Sequence, residues 1–367
     1  MPDRDACVMN VLSIKLGARD SICCLIFALR GMNMRILAVL LVAFSFIHAE
    51  AIASEPRLDE TKQYIAVDGA RRLFLDCKGY GKPTIIFDSG AGSTGANWGA
   101  VQAILARNNK ACFYDRAGMG YSDGPSRPTT PSNVVDDFHH LIQKANIETP
   151  FVLVGHSRAG LYDTLYALRY RSQIAAMVLL DPVVAQNYDE NLAISASERA
   201  FLTKGNSEGR ADLVRCEALA RRHLLTEDAP HDCFSFSDLD TPPIREYMLH
   251  MSVKPEYYEA RISEMSASLA RTDIAEIIEA ERQNAHPFGS LPLIVLTSSK
   301  FKQKGAPDPS DDVAADKIWK RDHEQLAKLS TIGQSRVVPN TGHLIQLYAP
   351  EAVADAVQAV LKQCCHR

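Results

Sequence analysis

Short unbroken apolar runs alternate with longer amphipathic segments along most of this chain, and this rhythm most constrains the fold. The runs are rich in Val, Ile, Leu and Phe, and they lack the polar alternation of a half-exposed strand. Such runs predict strands buried on both faces, as in a parallel sheet covered by helices. Strands are predicted at 64–67, 73–77, 84–87, 111–114, 151–154, 176–180, 293–297 and 336–338. Helices are predicted at 98–107, 132–145, 158–171, 317–330 and 350–362.

The alternation of strands and helices predicts an α/β core made of residues 60–182 and 291–363, joined by right-handed crossovers. The first two strands are too close for a crossover, so we expect them to pair antiparallel. Residues 183–290 contain no convincing strand and are rich in Glu, Arg and Ala. Because this interval is too long for a connection in a compact domain, it predicts a helical lid inserted before the seventh strand.

The N-terminal segment has the pattern of an export signal. Met34-Arg35 precedes an apolar run at 36–47, and small residues follow at alternate positions. This predicts a signal peptide over 34–53, cleaved near Ala51 or Ala53, and an exported protein. The run is shorter than the roughly 20 residues that cross a bilayer, although an anchor or a buried helix stays open. Residues 1–33 are interpreted as a start-site artefact or a disordered segment.

Cysteine content and charge narrow the classes of function. Six of the nine cysteines follow the signal-like segment, and an even number in an exported chain permits disulfides. Cys216 and Cys233 both lie in the predicted lid, where a disulfide would brace it. No cysteine has metal-site spacing, so we expect neither metal nor cofactor. The formal net charge of -4 gives no electrostatic case for nucleic acid.

A candidate nucleophile stands between a predicted strand and a predicted helix. The segment Gly155-His156-Ser157-Arg158-Ala159-Gly160 joins 151–154 to 158–171. A serine on such a turn is lifted above the sheet edge in a strained conformation, and the turn has no room for large neighbours. The first N–H groups of the helix then point at the site, where negative charge is favoured.

This segment resembles the nucleophile motif Gly-x-Ser-x-Gly of the α/β-hydrolase superfamily, from which it departs at Ala159. The resemblance implies the α/β-hydrolase fold, with a mostly parallel eight-stranded sheet flanked by helices. Members with an aspartate nucleophile, such as epoxide hydrolases, are disfavoured because position 157 is serine. Residues 114–123 resemble the family's Asp-Arg-x-Gly-x-Gly-x-Ser segment, for which a structural role is expected. The fold also makes the strands of Cys77 and Cys112 neighbours, so a disulfide there is reasonable.

The base is assigned to His343, because a serine needs a base that works near neutral pH. His343 follows the last predicted strand and precedes a helix that opens at Pro350, as in the family's histidine loop. His156 is expected to pack under the turn. For the acid, Asp181 at the end of the strand 176–180 is preferred. The alternatives follow the next strand and are Asp308, Asp311 and Asp312.

Two backbone N–H groups are predicted to stabilise the oxyanion. One belongs to Arg158, directly after the nucleophile. The loop after the strand 84–87 resembles the family's His-Gly-x loop but has Ser89 where histidine is usual. This resemblance implies that the other N–H belongs to Ala91, with Gly92 as the alternative.

These features predict a hydrolase of a carboxylic ester or related acyl bond that acts on a small-molecule acyl substrate through an acyl-enzyme. Two alternatives remain open at this point. One is a non-catalytic small-molecule-binding protein on the same fold. The other is an amide, lactone or carbon–carbon hydrolase, since a fold does not fix the reaction.

Overall fold

Eight strands form one sheet. The computed structural model describes residues 62–188, 196–226, 228–300 and 309–365. The strands are β1 (Lys62–Asp68), β2 (Arg71–Lys78), β3 (Ile85–Asp88), β4 (Ala111–Tyr114), β5 (Phe151–His156), β6 (Ile174–Leu180), β7 (Leu293–Ser298) and β8 (Gln334–Val338). Their order in the sheet is β1-β2-β4-β3-β5-β6-β7-β8. Both pairs that include β2 are antiparallel and the other pairs are parallel, so β2 runs against the rest. The predicted fold class is confirmed.

Helices cover both faces of the sheet. Successive side chains of β5 point to opposite faces, so Phe151 and Leu153 enter one apolar cluster while Val152 and Val154 enter the other. The helices are α1 (Gly99–Leu105), α2 (Pro131–Lys144), α3 (Ala159–Arg169), α4 (Ala196–Arg221), α5 (Pro242–Ser252), α6 (Pro255–Glu264), α7 (Ala267–Gln283), α8 (Pro309–Ala327), α9 (Ile345–Tyr348) and α10 (Pro350–Cys364). Helices α2, α3, α7 and α8 contribute to the first cluster, and α1 and α10 contribute to the second.

Helix α8 begins eight residues earlier than the sequence predicts, at Pro309 instead of 317. The sequence there reads Pro309, Ser310, Asp311 and Asp312, and the first large apolar residue after them, Val313, is 57% exposed. This stretch of sequence has no apolar stripe, so hydrophobic periodicity does not reveal the helix there.

The segment between β6 and β7 is helical. It contains a short 3-10 helix, Ala185–Tyr188, followed by α4, α5, α6 and α7. A disulfide joins Cys216 to Cys233, and a small cluster that includes Cys216 and Tyr258 packs around it. Ile274 and Ile277 of α7 join the main core, as do Ala185 of the 3-10 helix and Tyr247 of α5.

An aromatic cluster attaches α5 to the antiparallel side of the sheet. The ring of Tyr247 lies 4.5 Å from that of Tyr121, and it also contacts Phe74 and Phe113. Edge-to-face contacts of this kind stabilise the packing beyond the contribution of the apolar area that the aromatic rings bury. Tyr247 therefore packs the lid onto the core.

Cys77 and Cys112 face each other across β2 and β4 and form a disulfide. The predicted signal peptide at 34–53 lies outside the described residues. Within the ranges that the structure describes, no helix is long and apolar enough to cross a membrane.

Two glycines at the starts of consecutive helical elements after β3 differ sharply in the space around them: Gly95 begins a 3-10 helix and Gly99 begins α1. A Cβ added to Gly95 would lie 1.7 Å from Cδ2 of Phe113, whereas one added to Gly99 would meet nothing within 4 Å. We therefore expect Gly95→Ala to lower the free energy of unfolding by about 1–3 kcal/mol, the usual cost of overpacking. Urea denaturation of both variants measures this, with Gly99→Ala as the matched control. Equal stability of the two variants would contradict the assigned crowding.

Candidate active site

Ser157 occupies a strained turn directly after β5. Its φ is +55°, in the left-handed region that residues other than glycine seldom adopt. Three backbone hydrogen bonds hold it there. The Ser157 N–H donates to the Leu180 carbonyl at 2.9 Å, and the Ser157 carbonyl accepts from Gly160 and Val183 at 2.9 and 2.8 Å. The turn is thus fastened to the chain segment that follows β6.

Close packing explains the small residues around Ser157. A Cβ on Gly155 would lie 1.9 Å from Oδ2 of Asp163, and a Cβ on Gly160 would lie 2.3 Å from Cβ of Pro182. Ala159 is fully buried, and its methyl group would lie 3.2 Å from a Cβ at position 155. Alanine therefore fits at position 159, where the family motif has glycine, because Gly155 has no side chain to crowd its methyl group.

Ser157, His343 and Asp181 form a continuous hydrogen-bonded chain. Nε2 of His343 lies 2.8 Å from Oγ of Ser157, and Nδ1 of the same ring lies 2.7 Å from Oδ2 of Asp181. Asp181 is buried, whereas the His343 side chain is 49% exposed. One ring nitrogen of His343 thus faces the serine hydroxyl, and the other faces a carboxylate.

Backbone contacts fix the position of His343. The loop after β8 is tied down where the Thr341 hydroxyl donates to the Val338 carbonyl at 2.7 Å. Nε2 of His156 lies 2.9 Å from the His343 carbonyl. Burial and the neighbouring His343 lower the pKa of His156 to about 3, so its ring is neutral and Nε2 is the protonated nitrogen that donates. His156 packs beneath the turn and orients the histidine loop.

Asp181 follows β6 with a φ of +42° and accepts hydrogen bonds from three other donors. These are the Ser298 N–H at 2.9 Å, the Ser298 hydroxyl at 3.0 Å and Nε1 of Trp319 at 3.0 Å. Burial acts to raise the pKa of Asp181, but His343 and these donors outweigh it and lower the pKa below its ordinary value. The carboxylate is therefore ionised at neutral pH.

In the sequence, the three alternative carboxylates lie at the start of α8 or directly before it. Asp308 is outside the described residues, and Asp311 and Asp312 lie in the first turn of α8. Sequence reasoning missed Ser298 and Trp319. Ser298 ends β7, directly before the loop where many family members carry the acid. Its place at the end of this strand is the sequence signal that could have identified it.

The loop after β3 lies against the nucleophile. A Cβ added to Gly90 would lie 3.2 Å from Cβ of Ser157, so the backbone approaches the serine closely there. Ala91 follows Gly90 at this contact, and Arg158 is the N-terminal cap residue of α3. Gly92 instead lies beneath the side chain of Arg261 from the lid. Among the residues that the structure describes, no group of three or more His, Cys, Asp or Glu could hold a metal ion.

Comparisons with known proteins agree with this fold. The model of the alpha/beta hydrolase family matches residues 85–356. The uncharacterized protein YqjL of Bacillus subtilis is 23% identical over 301 residues, which cover 82% of this chain and 92% of that protein.

Two solved structures share the fold. A candidate epoxide hydrolase from Pseudomonas aeruginosa is similar with a TM-score of 0.60 at 18% identity, over 83% of this chain and 97% of that one. A thermophilic esterase from Thermogutta terrifontis is similar with a TM-score of 0.53 at 20% identity, over 83% and 98%.

The buried, neutral His156 predicts an acid-sensitive fold. The unfolded chain binds a proton on this residue below its ordinary pKa of 6.5, whereas the folded chain stays unprotonated down to about 3. The free energy of unfolding should therefore fall as pH drops below 6.5, by up to about 1.4 kcal/mol per pH unit for this one group. His156→Gln keeps an N–H donor but does not titrate, so it should lose that part of the pH dependence. Urea denaturation between pH 4.5 and 7 tests this, and identical pH dependence in both proteins would refute it.

Proposed function

Because the chain belongs to the alpha/beta hydrolase family, we propose that it is a serine hydrolase that cleaves a carboxylic ester or related acyl bond through an acyl-enzyme on Ser157. The observation that carries this proposal is the hydrogen-bonded chain from Ser157 through His343 to Asp181. Nucleophile, base and orienting acid then stand in the geometry that acyl transfer requires.

The proposed reaction has two halves. Ser157 Oγ attacks the acyl carbon while His343 Nε2 takes its proton, and His343 then returns this proton to the departing alcohol. Water then attacks the acyl carbon of the acyl-enzyme while His343 Nε2 takes its proton. The bond to Ser157 Oγ breaks, His343 returns the proton to Oγ, and the carboxylic acid leaves. Asp181 holds the imidazole with Nδ1 protonated and stabilises its cation. The N–H groups of Ala91 and Arg158 would stabilise the oxyanion, beside the contact of Gly90 with Ser157.

The side chain at position 157 favours a serine mechanism over the chemistry of relatives that use an aspartate nucleophile. A serine ester can be hydrolysed by attack at its acyl carbon, and the neighbouring histidine is placed to activate water for that attack. The hydrogen bond between His343 and Asp181 also argues against a purely binding role, because binding alone would not need a base aligned on a hydroxyl.

Replacing the nucleophile tests the proposal directly. We expect wild type to hydrolyse activated esters from a chain-length series, and Ser157→Ala to lose about a thousandfold or more in kcat. Ser330→Ala is the matched control, since Ser330 is another buried serine whose hydroxyl donates to the Leu291 carbonyl. Equal activity of wild type and Ser157→Ala would refute the nucleophile. Binding without turnover of any acyl substrate would favour the receptor alternative.

The acid is tested by removing single charges. Asp181→Asn should lower kcat about 10⁴-fold, because the amide disfavours the required histidine tautomer and cannot stabilise the imidazolium. Asp308→Asn, Asp311→Asn and Asp312→Asn serve as controls and should keep near-normal rates. Steady-state kinetics and circular dichroism together separate lost chemistry from lost folding. A normal rate in Asp181→Asn with a large loss in one of the controls would transfer the role to that residue.

A further inference from the structure

A buried arginine from the segment after β4 makes contacts that the proposed reaction does not yet use. The Arg116 side chain is only 3% exposed. Nη1 donates to Oδ1 of Asp88 at 2.7 Å and to the Ser89 carbonyl, and Nη2 donates to the Gly90 carbonyl at 2.7 Å. Nη2 also lies 3.3 Å from Oε1 of Glu264. Burying a guanidinium is costly unless it is paired and hydrogen-bonded. Both terminal nitrogens of Arg116 meet this condition, while its Nε is buried without a partner among the residues that the structure describes.

The hydrogen bond to the Gly90 carbonyl determines where the next N–H points. In a planar trans peptide, the C=O and the N–H point in opposite directions. Because the Gly90 carbonyl points at Arg116, the N–H of Ala91 points away from it. The backbone of glycine is less restricted than that of other residues, so the peptide between Gly90 and Ala91 needs hydrogen bonds to fix its orientation. Arg116 donates one to the Gly90 carbonyl, and the Ser93 N–H donates another at 3.2 Å.

The residue before Arg116 holds the other end of the same loop. Oδ1 of Asp115 accepts from the Gly95 N–H at 2.8 Å, and Oδ2 accepts from the Tyr121 N–H at 3.0 Å. Residues 89–95 are therefore fastened at both ends by two consecutive side chains.

The lid completes this arrangement through Glu264, whose side chain is fully buried at the end of α6. Glu264 pairs with Arg116 and, at 2.8 Å, with Arg261, whose side chain covers Gly92 of the same loop. Burial acts to raise the pKa of Glu264, but Arg116 and Arg261 outweigh it and keep the pKa below its ordinary value. Glu264 of the lid is thus an ionised carboxylate that pairs with Arg116, and Arg116 holds the loop after β3.

We propose that Arg116, clamped between Asp88 of the core and Glu264 of the lid, is a positioning residue that directs the Ala91 N–H toward the oxyanion. This inference rests on the proposed function, because it assigns the oxyanion donor of that reaction. The lid then contributes to the transition state without touching substrate, since Glu264 acts through Arg116.

Arg116→Lys keeps the charge but cannot reach two carbonyls and two carboxylates. We expect kcat for an activated ester to fall about ten- to a hundredfold, less than the hundred- to thousandfold lost with an entire oxyanion donor. KM should change less than about threefold. The inhibition constant of a trifluoromethyl ketone, which forms a tetrahedral adduct with an oxyanion, should rise by the same factor as kcat falls.

Arg71→Lys is the matched control, because Arg71 is another mostly buried arginine that pairs with two carboxylates, Asp68 and Asp137. It should lower the melting temperature but leave kcat and the ketone affinity within about twofold. If Arg116→Lys behaves in the same way as Arg71→Lys, the proposal is overturned.

Glu264→Gln keeps the proposal testable should Arg116→Lys fail to fold. This variant retains a hydrogen-bond acceptor and removes only the charge, so kcat should fall about three- to tenfold. Amide hydrogen exchange in residues 89–95 should become faster than in wild type, and this readout does not require activity. Inactive wild type would refute the proposed function, while exchange would still decide whether Glu264 and Arg116 hold the loop. Unchanged exchange in Glu264→Gln would overturn the inference.

Discussion

Ser157 stands in a left-handed turn whose backbone hydrogen bonds run to Leu180 and Val183. Such a conformation costs about 1–3 kcal/mol and persists only where the surroundings hold it. These partners flank Asp181, so Ser157 and Asp181 are fixed to each other through the main chain. The crowding that excludes a side chain at Gly160 comes from Pro182 in the same segment after β6, whereas the crowding at Gly155 comes from Asp163 of α3. The arrangement of the site depends on this junction.

The carboxylate that faces His343 is supported by two neighbouring parallel strands. Asp181 ends β6, and the N–H and hydroxyl of Ser298 at the end of β7 both donate to it. Parallel strands bring their carboxyl ends to one edge of a sheet, so a donor on one strand can hold an acid on the next. Trp319 of α8 adds a third donor from the helix layer. This set of donors keeps a buried carboxylate ionised beside the imidazole.

The loop after β3 connects the lid to the nucleophile. Its start is bonded to Arg116 and its end to Asp115, while Glu264 reaches Arg116 from the insertion. A lid is commonly regarded as a cover that selects substrates. Here one lid carboxylate is buried within the polar network beneath the loop, so the lid and the core share one set of hydrogen bonds.

The sequence by itself determined the eight strands, the fold class and the position of Ser157 between a strand and a helix. These properties depend on apolar period, residue size and turn chemistry, which are local. The signal segment at 34–53 stays a prediction of the sequence. Only the tertiary structure decided which carboxylate lies against His343, because Asp181 and His343 are 162 positions apart. It also brought Glu264 to Arg116, since residues distant in sequence meet only where helices and strands pack.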